Sequence, residues 1–149
     1  MMVQLSGVPS GLRSSVHHVR QGELLVKIAV LIARLLLGLA FTFFGLNSFF
    51  HFLPDQIPPG DAGTMITLMV RYGWAMFLGS IYLVAGVLLL AGRYMGVALT
   101  LLGPPLVVIL LFHLTLMPQM IGFVLFLFAL EVFLIYAHWH HFAAVVQRR

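Results

Sequence analysis

Four long apolar stretches dominate the pattern of hydrophobic and polar positions along the chain. Each is close to the roughly 20 residues that an α-helix needs to cross about 30 Å of hydrocarbon. Prolines, glycines or charged residues separate one stretch from the next. The predicted membrane spans cover residues 28–52, 74–91, 94–116 and 121–137, to within a residue or two. The pattern therefore predicts an all-α integral membrane protein built as a four-helix bundle.

The second span is preceded by a shorter apolar segment with its own break. A single helix from Thr64 to Ala91 would be long for one crossing. Gly73 lies between Tyr72 and Trp74, two aromatic residues of the kind that mark the membrane–water boundary. We predict a short interfacial helix that ends near Gly73 and is followed by the second span. One long tilted helix is the alternative.

The composition excludes an ordinary soluble domain. Apolar residues make up 62% of the chain and charged residues 8%, whereas soluble domains average about 45–50% and 25%. A soluble fold of 149 residues could not bury that much apolar surface, but a bilayer removes the need. The chain has no cysteine, so it cannot by itself exchange disulfides or bind a thiolate-ligated iron–sulfur cluster.

The basic residues predict the orientation in the membrane. Four spans place both termini and the middle turn on one side, and the positive-inside rule makes the side richer in Lys and Arg cytoplasmic. The loop at residues 54–63 then faces outward, and Arg71 is the basic residue on that side. The predicted domains are a flexible cytoplasmic tail (1–26), the transmembrane domain (27–142) and a basic cytoplasmic tail (143–149). The cytoplasmic side holds Arg13, Arg20, Lys27, Arg93, Arg148 and Arg149.

Two charged residues interrupt the apolar spans, Arg34 in the first and Glu131 in the fourth. A charge at the bilayer centre costs roughly 2.5–3.5 kcal/mol on insertion scales. Each lies about six residues, roughly 9 Å, from the predicted cytoplasmic end of its helix. If the two helices are neighbours, the charges can meet. They would then bind a polar headgroup or relay a proton, or form a structural ion pair that fixes the register of the helices.

Other polar residues are candidates for the lining of a site. Asn47 and His51 share a face near the outer end of the first helix, and His113 lies near the outer end of the third. They predict either a polar site for a quinone headgroup or a proton, or side chains that satisfy backbone groups at the interface. Tyr82 in the second span could point its hydroxyl into a central cavity. No metal site and no catalytic motif is predicted.

Small residues recur on one face of the first two spans, where they let helices approach closely in lipid. These two stripes are predicted to be packing seams. The first consists of Gly38, Phe41, Gly45 and Phe52, and the second of Gly79, Tyr82, Gly86 and Arg93.

The chain resembles the DoxX family of small four-helix membrane proteins over about residues 33–139. The matching segments, in order, are Arg34-Leu35-Leu36-Leu37-Gly38-Leu39, Phe44-Gly45-Leu46-Asn47, His51-Phe52-Leu53-Pro54, Ala85-Gly86-Val87-Leu88-Leu89-Leu90-Ala91-Gly92-Arg93, Pro104, Phe112-His113 and Leu130-Glu131-Val132-Phe133-Leu134. The chain departs from the family at Tyr82, where an acidic residue is often found. That departure puts in doubt any role assigned to the family's carboxylate.

The resemblance implies a function in a redox complex. The family's namesakes are linked to a membrane thiosulfate:quinone oxidoreductase, and mycobacterial relatives to a membrane complex that handles oxidative stress. We therefore expect a subunit of such a complex in a bacterial plasma membrane, which anchors a partner and is not an enzyme alone. Quinone is the candidate cofactor, and a homo-oligomer and a redox protein are candidate partners. The alternatives are an oligomeric transporter or channel for a small solute or lipid, and an assembly protein without chemistry.

Overall fold

The computed structural model describes residues 10–53 and 57–139. Within those ranges every regular element is helical. Four of the helices, α1, α3, α4 and α5, are long and apolar enough to cross a membrane. The predicted multi-pass, all-α architecture is therefore confirmed. The elements are α1 (Ser10–Phe50), α2 (Asp61–Arg71), α3 (Trp74–Ala91), α4 (Met95–Thr115), a 3-10 turn (Pro118–Met120) and α5 (Ile121–Ala137).

The break before the second span lies at Gly73, as predicted. Gly73 adopts a left-handed conformation with φ of 75°, which glycine reaches without the steric cost that a Cβ imposes. The amide of Tyr72 donates to Leu68 O at 3.0 Å, and the amide of Gly73 donates to Val70 O at 3.1 Å. α2 therefore ends before α3 begins, and the alternative of one long helix is wrong.

The first helix is longer at its start than predicted. α1 begins at Ser10, so residues 10–26 are helical, although they were expected to form part of a flexible tail. No proline interrupts the chain between Ser10 and Leu53, and a helix once nucleated gains one hydrogen bond for each added residue. The 41 residues of α1 span about 60 Å, twice the thickness of the hydrocarbon core.

α1 also ends two residues earlier than predicted. His51 takes a left-handed conformation with φ of 48°, which stops the helix after Phe50. The side chain of Asn47 fixes this end, because its Oδ1 accepts a hydrogen bond from the amide of Leu53 at 2.9 Å. The other spans agree with the prediction to within one residue at each end.

The four long helices form a closed ring. α1 packs against α3 and α5, and α4 packs against the same two helices, while α2 packs on the outside of α3. The side chains that fill the centre are almost all aliphatic. Its fully buried members include Leu37, Leu89, Leu99, Leu102, Leu106 and Leu134.

The closest approach in the ring is between α1 and α3. A Cβ on Gly45 would lie 2.9 Å from Gly79 O, and a Cβ on Gly86 would lie 2.6 Å from Thr42 N and 2.9 Å from Gly38 O. These distances are shorter than van der Waals contact, so the antiparallel backbones touch directly. The predicted packing seams are therefore confirmed at these four glycines, which we call the glycine seam.

Each predicted seam includes one residue that lies beyond the end of its helix. Phe52 lies beyond the end of α1 and is 48% exposed, and Arg93 lies beyond α3 and is exposed. The helical periodicity that placed them on the seam no longer applies once the helix has ended. The seam therefore stops short of both residues.

Candidate functional site

The guanidinium of Arg34 lies against the end of α3. Side chains of an α-helix point toward its N-terminus, so Arg34 reaches back along α1 to Gly92. A Cβ on Gly92 would collide with Arg34 Nη1 and would lie 3.0 Å from Arg34 Cζ. Gly92 is the left-handed C-cap of α3, with φ of 67°. The positive charge is thus placed at the negative end of the α3 dipole, where it is favourable.

Glu131 is the buried charged residue of the bundle core among the described residues, with 2% of its surface exposed. Its Oε1 atom is buried and has no hydrogen-bond partner. On α4, a Cβ on Gly103 would lie 3.9 Å from Oε1. The carboxyl therefore faces α4 at a position that has no side chain.

Arg34 and Glu131 lie on neighbouring helices, which was the condition for the two charges to meet, but they do not pair. Arg34 Nε and Glu131 Oε1 are both buried without a hydrogen-bond partner. Arg34 is at the level of the turn that precedes α4, whereas Gly103 lies eight residues into α4, or about 12 Å along its axis. The expected equal depth is wrong, because it was counted from Ile28 and ignored the backward reach of the arginine side chain.

The distance between the two side chains limits how far the charge of Arg34 can stabilise a charged Glu131. At about 12 Å and an effective dielectric constant of 20, two unit charges attract by about 1.4 kcal/mol. A charge at the bilayer centre costs roughly 2.5–3.5 kcal/mol. Arg34 alone therefore leaves about half or more of the cost of a charged Glu131 unbalanced.

Comparisons with protein-family models, with curated proteins and with solved structures find no match. The resemblance to the DoxX family therefore rests on the segments quoted above and stays a prediction.

Two of the three polar residues predicted near the outer end, Asn47 and His113, form hydrogen bonds with the backbone. Asn47 accepts the amide of Leu53, as described above. The His113 ring donates from Nδ1 to Ile109 O at 2.8 Å, because a carbonyl can only accept. His51 is exposed and caps α1 by its backbone conformation. For Asn47 and His113 the geometry supports the interpretation that they satisfy backbone groups at the helix ends.

Tyr82 packs in the interior of the ring. Its aromatic ring meets that of Phe41 edge-on, with centroids 5.3 Å apart, and Phe41 is 2% exposed. Tyr82 therefore takes part in the contact between α1 and α3 beside the glycine seam.

The predicted lining residues do not converge on one pocket. Arg34 lies at the end of the ring where α3 ends and α4 begins, Glu131 faces the middle of α4, and Asn47, His51 and His113 lie near the other end. The three residues predicted to hold a quinone headgroup are therefore separate from Arg34 and Glu131. The six residues are Arg34, Asn47, His51, Tyr82, His113 and Glu131.

Sequence reasoning missed two partners of these side chains and one further buried polar atom. Gly92 and Gly103 provide the surfaces on which Arg34 and Glu131 rest, and Thr42 Oγ1 is buried without a hydrogen-bond partner against Gly86. A glycine that ends a helix, as Gly92 does, is a signal for a close approach. Gly103 carries no such signal, since only the packing of α5 shows what faces it.

No metal centre is present within the described ranges, since no three potential ligands cluster there. His138 donates from its ring Nδ1 to Leu134 O at 3.0 Å. His140, His141 and the basic tail at residues 143–149 lie outside the described residues.

Proposed function

We propose that the chain is a membrane subunit of a redox or oxidative-stress complex that anchors a partner protein and does not catalyse a reaction alone. One observation carries the anchoring function: α1 extends far beyond the bundle. The first α1 residues that pack against the core are Val30 and Ala33. The 20 or so helical residues before them extend about 30 Å, and we call residues 10–29 the α1 extension.

The α1 extension has the surface of a docking element. All residues from Arg20 to Ala29 are exposed. Apolar and charged side chains alternate there, for example Leu24 and Leu25, which are 52% and 68% exposed, beside Glu23 and Lys27. A helix whose exposed surface carries apolar and charged side chains offers hydrophobic and electrostatic contacts to another protein.

The side of the membrane and the type of complex rest on the sequence. The excess of Lys and Arg supports a cytoplasmic location of the α1 extension and of both termini. The resemblance to the DoxX family supports a redox partner and a bacterial plasma membrane. The proposal includes no quinone, because Asn47 and His113, two of the three residues predicted to hold its headgroup, are engaged in hydrogen bonds with the backbone.

Gentle extraction from native membranes followed by native mass spectrometry tests the proposal. We expect a stoichiometric redox partner to accompany the full chain. A variant without residues 1–9 keeps the described part of α1 and should retain the partner, whereas a variant without residues 1–19 removes half of the α1 extension and should lose it. Both variants should unfold at the same temperature in detergent, because neither deletion touches the bundle.

Two results would contradict the proposal. A full-length chain that carries only lipid, as a monomer or homo-oligomer, would sink the redox-subunit function. Retention of the partner by the variant without residues 1–19 would instead keep the complex but exclude the α1 extension as its anchor.

A further inference from the structure

The carboxyl of Glu131 is an isolated polar group in an aliphatic core. The core of the same bundle is aliphatic, and Leu102 and Leu106 of α4 and Leu134 of α5 are fully buried in it. Its Oε1 receives no hydrogen bond. A buried carboxylate requires a positive partner or a proton, since removing it from water without one is strongly unfavourable.

The described side chains on the neighbouring helices supply no such partner. α5 packs against α4 and α1. On α4 the titratable group is His113, which lies near the opposite end of the helix and donates to its own backbone. In the part of α1 that packs in the ring, the charged group is Arg34, whose guanidinium lies at Gly92. On α3, Tyr82 packs against Phe41.

The α4 backbone leaves room beside the carboxyl for at least a methyl group. A Cβ on Gly103 would be in ordinary van der Waals contact with Oε1, at 3.9 Å. The backbone therefore does not prevent Oε1 from carrying a proton. A metal cation would need further ligands beside this carboxylate, and no group of three acidic, His or Cys side chains that could hold a metal ion lies among the described residues.

We propose that Glu131 holds a proton between α4 and α5. The proton neutralises the carboxyl, for which no described side chain supplies a positive partner. Buried acidic residues facing the interior of a helix bundle are the groups that membrane proteins use for ion and proton pathways. This site is independent of the anchoring function, because the α1 extension and Glu131 share no contact.

Carbodiimide labelling of the full chain in lipid nanodiscs tests the site. Dicyclohexylcarbodiimide adds to a protonated carboxyl in an apolar environment, and the O-acyl adduct rearranges to a stable N-acylurea that peptide mass spectrometry locates. Glu131 should be labelled, whereas the exposed Glu23 and Asp61 are internal controls that should not be. Glu131→Gln should abolish the labelling.

The pH and salt dependence of the labelling tests the identity of the bound cation. Labelling should fall as the pH rises, and Na⁺ should have no effect beyond that of choline at the same ionic strength. A fall in the labelling rate that Na⁺ causes and choline does not would overturn the proton as the ligand.

A second measurement does not depend on access of the reagent. The infrared spectrum of the unlabelled protein should contain a carboxylic acid C=O band that disappears in Glu131→Gln. The absence of both the labelling and the band, from mildly acidic to mildly alkaline pH, would overturn the proposal. So would labelling that occurs only in Arg34→Gln, since Arg34 would then hold the carboxylate permanently.

Discussion

Substitution of Gly86 by alanine should weaken the bundle through the glycine seam. The added Cβ would lie 2.6 Å from Thr42 N and 2.9 Å from Gly38 O, and both are backbone atoms that no rotamer change can move. Restoring a contact of about 3.5 Å requires α1 and α3 to part by about 0.9 Å. A gap of that size forfeits a quarter to a half of the dispersion energy of the atom pairs it separates. Overpacking of this kind costs about 1–3 kcal/mol, and we expect about 2 kcal/mol.

Gly122→Ala is the matched control. It adds the same methyl group to a bundle helix at a position where no heavy atom lies within 4 Å of the new Cβ. Unfolding of both variants in mixed micelles with a rising fraction of denaturing detergent, followed by far-ultraviolet circular dichroism, gives the two free energies. Equal stability of Gly86→Ala and Gly122→Ala would refute the direct backbone contact between α1 and α3.

The same unfolding assay checks three further predictions. Gly79→Ala should destabilise the bundle because its Cβ would collide with the Ser48 side chain, and a second substitution, Ser48→Gly, should restore most of the lost stability. If the double variant is no more stable than Gly79→Ala, the collision with Ser48 is not the cause of the loss. Gly92→Ala should lower the free energy of unfolding by about 1–2 kcal/mol because of its left-handed backbone, and by more because the new methyl group displaces Arg34. The loss should be smaller in a background of Arg34→Ala, and an equal loss in both backgrounds would contradict the contact between Arg34 and Gly92. A double-mutant cycle of Arg34→Gln and Glu131→Gln should give a coupling of no more than about 1.4 kcal/mol, and a value of about 3 kcal/mol or more, typical of breaking a buried pair, would show that the two side chains pair.

The spans were predictable because the bilayer imposes a length on them. Residues 74–91 and 121–137 match α3 and α5 residue by residue, since glycine, proline and aromatic signals stand at their ends. The glycine seam was predictable for a related reason, because residues seven apart on two helices fall on one face of each. Both predictions depend on local sequence or helical periodicity alone.

The predictions that were wrong concern the length of α1 outside the bundle and the surroundings of Arg34 and Glu131, which are set by other helices. Nothing between Ser10 and Lys27 is apolar enough to signal a membrane helix, so continuation of α1 by elongation was not visible. The depth of Arg34 depends on the direction of a long side chain and on the position of the α3–α4 turn. The isolation of Glu131 depends on Gly103 of another helix, and no spacing within α5 encodes it.

The two buried charges therefore need separate explanations. Arg34 rests on Gly92 at the end of α3, where the helix dipole, the left-handed cap and access to the membrane surface all favour a cation. A structural function accounts for that arrangement. Glu131 has none of these supports: it is 2% exposed, faces a glycine, and lies about two turns deeper than the nearest described cation. A bundle selected for stability alone would gain from an aliphatic residue at this position, and a proton bound to the carboxyl is the proposed reason why Glu131 stands there instead.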